Sequence, residues 1–197
     1  MDLLKEKIIE EGFVEDGGIL RVDNFLNHRL DIEFLNEVGL LFKDIFKDRH
    51  IDKILTIESS GIAIATITAQ YLHCPVVFAK KSEHVNLPQE VLIEKVHSFT
   101  QNKENNLVVA KRMLNKGENI LIIDDFLAKG NALKALISMV EKSGGDVVGI
   151  GIVIEKAFQG GGDEIRKKGY RLVSLARIAT LVPSITFIED LDIPKNR

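Results

Sequence analysis

The chain's 197 residues, 45% hydrophobic and 28% charged, are enough to bury one substantial core, which predicts a single domain with at most a small appendage. Its 26 Lys+Arg against 29 Asp+Glu give a formal charge of −3 with the signs interspersed; no long basic block marks a nucleic-acid or membrane surface, so small molecules are the expected partners. A lone cysteine, Cys74, excludes an intrachain disulfide scaffold, and an acidic amphipathic start with no apolar run near the ~20 residues that span a bilayer predicts a cytoplasmic protein.

Residues 2–12 place Leu3, Leu4, Ile8 and Ile9 at helical spacing and stop at Gly12, the pattern of a short amphipathic helix with a glycine cap. Ile19, Leu20 and Val22 read as a short strand, DNFLNHRLD breaks the pattern, and residues 31–49 carry Ile32, Leu35, Val38, Phe42 and Phe46 at helical spacing. From residue 51 the texture changes to β-branched runs, KILTI (53–57), PVVFA (75–79), NILIID (119–124) and DVVGIGIVIE (146–155), with helical patterns at 62–72 and 131–143 between them. Near-continuous apolar strands are buried on both faces, so the expected fold class is α/β, a doubly wound, mostly parallel sheet. Within residues 80–118, VLIEKVHSF and NLVVAKRML read as arms of an antiparallel excursion, and the polar stretch around 80–105 as a mobile flap. A short helix is expected in FQGGGDEIRKKGY, with residues 160–162 as the turn before it; strands follow in RLVSLARI and TFIE, then a frayed tail.

Chemistry is concentrated in residues 119–140. A buried strand brings Asp124 and Asp125 to its C-terminal end, and a small-residue loop containing Ala128 and Gly130 opens directly into a helix. A helix N-terminus offers N–H groups and partial positive charge to a phosphate, and glycine lets the backbone come close to its oxygens. Ionised carboxylates accept hydrogen bonds, so the acidic pair suits ribose hydroxyls, held directly or through a metal. Helix capping needs only one carboxylate, and two like charges side by side cost stability unless something uses them. Strand ILTIE ends likewise in Ser59, Ser60 and Gly61 before a helix, a second candidate anion cradle. The five histidines show no metal-site pairing, and no Ser-His-Asp spacing stands out.

LIIDDFLAKGNA resembles the phosphoribosyl-diphosphate motif of the type I phosphoribosyltransferases. It departs from the usual pattern at Lys129, where threonine is common, and at Asn131 and Ala132, where glycine and threonine are common. Those changes remove hydroxyls, leaving the backbone N–H groups of Ala128, Lys129, Gly130, Asn131 and Ala132 to carry more of the phosphate binding. The segments FLNHRLD, IESSGI, VVFAKK, HSFT and GIGIVIEKAFQ extend the resemblance nearly end to end, toward the bacterial xanthine phosphoribosyltransferases.

The resemblance implies a homodimer that transfers phosphoribosyl from 5-phosphoribosyl 1-diphosphate to xanthine, giving xanthosine 5′-monophosphate, with Mg2+ carried by the diphosphate rather than by protein side chains. It implies a hood over about residues 1–35 and a flap over about 80–105. Asp124 and Asp125 become the catalytic pair, Glu58, Ser59, Ser60 and Gly61 the diphosphate loop, and Lys81 a further contact to the diphosphate. Leu20 and Asn27 of the hood, with Lys156, become purine contacts. A lysine ammonium suits xanthine, whose carbonyls accept hydrogen bonds and which is partly anionic near neutral pH. Rival readings are the same transfer to guanine, hypoxanthine or adenine, and a regulator that senses the donor. A dinucleotide-binding dehydrogenase is discarded because G-x-G-x-x-G is missing after the first strand.

Overall fold

The computed structural model describes residues 2–82, 90–98 and 103–189. Helix α1 (Asp2–Glu11) buries Leu4 and Ile8, one turn apart, while Leu3 and Ile9 of the same pattern are exposed. A two-stranded hairpin follows, β1 (Phe13–Glu15) against β2 (Ile19–Arg21), then a wide π-type turn over Asp23–Asn27. Helix α2 (Ile32–Ile45) starts where the Asp31 carboxylate accepts the Phe34 N–H at 3.1 Å. Lys7 of α1 pairs with that carboxylate at 2.9 Å and so ties the first helix to the start of the second.

The main sheet has eight strands in the order β10-β9-β8-β7-β3-β4-β6-β5. Its parallel centre consists of β3 (Lys53–Ile57), β4 (Val76–Ser82), β7 (Asn119–Leu127), β8 (Asp146–Lys156) and β9 (Leu172–Thr180). Helices α3 (Ser60–Leu72), α4 (Asn131–Ser143) and α5 (Gly161–Lys167) connect them. Antiparallel strands close both sides: β10 (Thr186–Ile188) on β9, and β6 (Lys103–Ala110) with β5 (Val91–Ser98) beyond β4. The expected antiparallel arms are therefore continuous with the sheet, and Glu94 of β5 accepts from Ser138 and Lys142 of α4. Of the expected flap, residues 83–89 and 99–102 lie outside the described residues, as does the tail from 190.

Strand alternation divides the core in two. Leu121 and Ile123 of β7 face α1, α2 and α3, whereas Ile120 and Ile122 face α4. Phe42 of α2 and Phe46, the helix C-cap, press on β8 where its side chains are missing: a Cβ at Gly149 would lie 2.6 Å from the Phe46 ring, and one at Gly151 2.7 Å from that of Phe42. The glycines in GIGIVIE are thus sockets for two aromatic rings. Cys74, half-buried against this core, has its thiol pushed upward by burial.

Candidate active site

The chain reverses its direction of growth across the sheet between β3 and β7, which are hydrogen-bonded neighbours: β4 lies on one side, β8 and β9 on the other. Ligands of open α/β sheets bind outside the carboxyl ends of strands at such a switch point. Both candidate anion loops lie there, residues 58–61 after β3 and 128–130 after β7.

Helix α3 begins at Ser60 with Ser59 at its N-cap, and the Ser59 side chain makes no cap hydrogen bond. Helix α4 begins at Asn131 behind Gly130, whose φ of +78° is a left-handed conformation that glycine adopts without Cβ strain. The Lys134 N–H donates to the Gly130 carbonyl at 2.9 Å as the helix starts. The N–H groups of Asn131 and Ala132 lie in the first turn, where the helix carries partial positive charge. Ala128 is half-buried and Lys129 exposed.

Asp124 and Asp125 are 5% and 7% exposed, which is rare for a carboxylate without a dedicated cation. They fall inside β7, which continues to Leu127. The Asp125 N–H donates to Asp124 Oδ1 at 3.0 Å, and the Asn27 side-chain amide donates to Asp125 Oδ2 at 3.1 Å. The hood residue expected at the base and the carboxylate expected at the ribose are therefore in direct contact. Gly61 brings the other loop to the same point: a Cβ there would lie 2.2 Å from Thr56 Oγ1 and 2.9 Å from Asp124 Oδ1. The Asp124 carboxyl is pushed well above the ordinary carboxylate range, first by burial, then by the neighbouring Asp125 charge and their side-chain hydrogen bond; Lys81 pulls the other way. Two adjacent buried carboxylates, one driven toward its neutral form, fit a ligand that brings hydroxyl donors and a cation.

Lys81 lies within β4, and its backbone N–H donates to Glu58 Oε1 at 2.6 Å, linking the segments that follow β3 and β4. Lys156 is the last residue of β8. Pairing of Leu127 with Glu155 puts it beside the 128–130 loop, and its ammonium lies 5.6 Å from the centre of the Phe126 ring. Burial lowers its pKa. Leu20 is 5% exposed and belongs to the same core cluster as Val22 and Phe25.

Three participants escape a reading by motif. Thr56 is fully buried, and its hydroxyl has no partner among the described residues; a threonine inside KILTI is its only signal. Phe126, directly after the acidic pair, lies beneath Lys156. Gly161, expected as part of a turn, is buried against the 128–130 loop.

The fold and the two-loop site define a transferase of the phosphoribosyl class. The family model for the phosphoribosyl transferase domain matches residues 26–184, and the chain belongs to that family. It is 56% identical over 182 residues to xanthine phosphoribosyltransferase 1 of Clostridium perfringens, covering 92% of this chain and 96% of that protein. To the xanthine phosphoribosyltransferase of Bifidobacterium adolescentis it is 47% identical over 190 residues, covering 96% and 98%. Among solved structures it resembles adenine phosphoribosyltransferase from Thermoanaerobacter pseudethanolicus, with TM-score 0.72, 24% identity and coverage of 87% and 98%. The Giardia lamblia enzyme complexed with 9-deazaadenine aligns with TM-score 0.75, 23% identity and coverage of 87% and 96%. At those identities the solved structures speak for the type I phosphoribosyltransferase fold alone.

Proposed function

We propose that this enzyme transfers the phosphoribosyl group of 5-phosphoribosyl 1-diphosphate to xanthine, giving xanthosine 5′-monophosphate and diphosphate. The observation that carries the reading is the meeting of Asp124, Gly61 and the 128–132 loop at one switch point, with Lys156 beside it. The 47–56% identity to xanthine enzymes over nearly the whole chain supports the choice of base.

The chemistry asks for positioning more than for a strong base. As the bond from the anomeric carbon to diphosphate breaks, positive charge spreads over the ribose ring and a purine nitrogen attacks from the opposite face. Ala128, Lys129, Gly130, Asn131 and Ala132 hold the 5-phosphate, chiefly through backbone N–H groups. Asp124 and Asp125 accept the ribose hydroxyls and favour the developing cation. Glu58, Ser59, Ser60 and Gly61 form the diphosphate cradle, with Lys81 nearby as a cation. Magnesium bound to the diphosphate would neutralise charge on the leaving group. Asn27, released from Asp125 as the ribose hydroxyls arrive, and Lys156 hold the polar edges of the base, and Leu20 backs the hood that covers it. The 80–105 region is assigned to excluding water, which otherwise competes as nucleophile.

A homodimer working in the cytoplasm belongs to the same reading. The described residues contain no helix long and apolar enough to cross a membrane. Adenine as acceptor offers no carbonyl to the Lys156 ammonium, and the regulator reading draws no support from the relatives named above. Diphosphate release with magnesium and the donor, compared across xanthine, guanine, hypoxanthine, adenine, uracil and orotate, is the deciding experiment. Xanthine well ahead of the others is expected. Preference for another base would discard the Lys156 argument and keep the mechanism, whereas donor binding without turnover on any base would overturn the enzyme reading.

A further inference from the structure

The glycine run at 160–162 has no part in the chemistry above, yet it abuts the proposed phosphate loop from behind. Gly161 opens α5 so close to that loop that a Cβ would lie 2.3 Å from the Ala128 carbonyl oxygen, 2.6 Å from the Lys129 carbonyl carbon and 2.7 Å from the Gly130 nitrogen. All three are main-chain atoms, so no rotamer change relieves the overlap. Gly162 sits equally close to the Glu155 carboxylate, where a Cβ would be 2.2 Å from Oε1.

Glu155 is itself fully buried, and a buried carboxylate persists only when it is well paired. It accepts from Arg166 Nη1 at 3.0 Å, from Arg166 Nη2 at 2.6 Å and from Ser174 Oγ at 2.5 Å, with Arg177 Nε at 3.3 Å. Arg177 also reaches Asp163 in the first turn of α5 at 3.0 Å. On the loop's other flank Lys134 of α4 pairs with Glu164 of α5 at 2.6 Å. Three of these partners, Arg166, Asp163 and Glu164, lie on the short helix whose first residue touches the loop.

We infer that residues 155–162 are a positioning element, in which the ion-paired Glu155 seats the start of α5 and Gly161 fixes the 128–130 backbone at the spacing that donor binding requires. The inference rests on the proposed assignment of residues 128–132 to the 5-phosphate. The selection of glycine at 161 is then steric and functional: any side chain displaces the phosphate-binding N–H groups.

The test is steady-state kinetics on Gly161→Ala, Glu155→Gln and Ala132→Asp, varying donor and xanthine separately, with melting temperatures in parallel. Since displacements near 1 Å cost about 100-fold, Gly161→Ala should raise the donor KM about 10-fold or more. Its xanthine KM should stay within about two-fold at saturating donor, a split that general loss of structure does not produce. If Gly161→Ala fails to fold, Glu155→Gln, which keeps the side-chain volume, carries the test, with a donor KM raised about three-fold or more and kcat less affected. A folded Gly161→Ala with an unchanged donor KM would overturn the inference, as would an unchanged Glu155→Gln standing in for it, or failure of both to fold. Ala132→Asp separates the two layers by putting a negative charge where the phosphate is placed. A donor KM unchanged by Ala132→Asp rejects the loop assignment itself, whereas a raised one beside a normal Gly161→Ala rejects only the seat.

Discussion

Asp124 lies in surroundings that favour its neutral form. Burial and the charge of Asp125 raise its carboxyl, and the arrangement costs the fold stability, a cost that the proposed role of the pair in accepting ribose hydroxyls explains. A carboxyl displaced upward in the fold costs stability at neutral pH, where the same group in the unfolded chain is ionised. Asp124→Asn keeps an oxygen for the Asp125 N–H and removes the charge. It should melt about 2–4 °C higher for each kcal/mol relieved while losing turnover; a variant that melts lower, or one that turns over at the native rate, contradicts the assignment. Lys156 has the opposite design, a cation partly desolvated over an aromatic ring. Lys156→Met keeps an apolar stem over Phe126 and removes the donor. Hydrogen bonds to charged groups are worth about 1.5–3 kcal/mol, so the xanthine KM should rise by about 10- to 100-fold with the donor KM nearly unchanged. Equal increases in both would show that Lys156 acts on the whole site rather than on the base.

Among the elements, β8 shows how a strand can be shaped by a helix. Gly149 and Gly151 leave the space that Phe46 and Phe42 fill, so Gly151→Ala should overpack the α2–β8 contact by about 1–3 kcal/mol. Thermal denaturation would register a melting point lower by about 2–4 °C per kcal/mol, without change in either KM. A neutral result would mean that α2 shifts freely on the sheet. Strands β3, β7 and β8 are legible in the sequence because they are buried on both faces along most of their length and are therefore written as near-continuous apolar runs. Strand β1, three residues long, leaves no room for alternation to show. The far end of β4 is equally hidden, since Lys80 and Lys81 are in the strand through backbone pairing with Val108 and Leu107, not through their own hydrophobicity. The carboxylate pair and both loops are legible because their chemistry is local in the chain. Gly161 and Phe126 lie against atoms about thirty residues away in the chain, and Thr56 reaches Gly61 only because the strand-to-helix loop folds back; no local pattern records such contacts.

For the molecule as a whole, the acidic groups fall into two sets with opposite pH behaviour. Glu155 is held below the ordinary carboxylate range although burial, the largest influence, pushes upward; Arg166 and Ser174 together outweigh it. Glu118, paired with Lys53, and Asp31, paired with Lys7, are lowered as well. Groups of this kind stabilise the fold above their unfolded values and lose that contribution as pH falls through the lower folded ones, which sets the acid limb. Asp124 works in the other direction. Its folded value lies above its unfolded one, so the folded chain holds an extra proton between the two, and stability declines as pH rises through that window. The ligand-free enzyme should therefore be most stable well below neutrality, around the ordinary carboxylate range, where the paired acids are already ionised and Asp124 still holds its proton. Melting temperatures taken across the acidic and neutral range should rise steeply out of acid, pass through a maximum and then decline. In Asp124→Asn the decline should vanish while the acid limb persists, and in Glu155→Gln the acid limb should weaken while the decline remains. If both variants keep the native profile, the two limbs have their origin in other groups, and the buried pair is not the seat of the stability cost assigned to it.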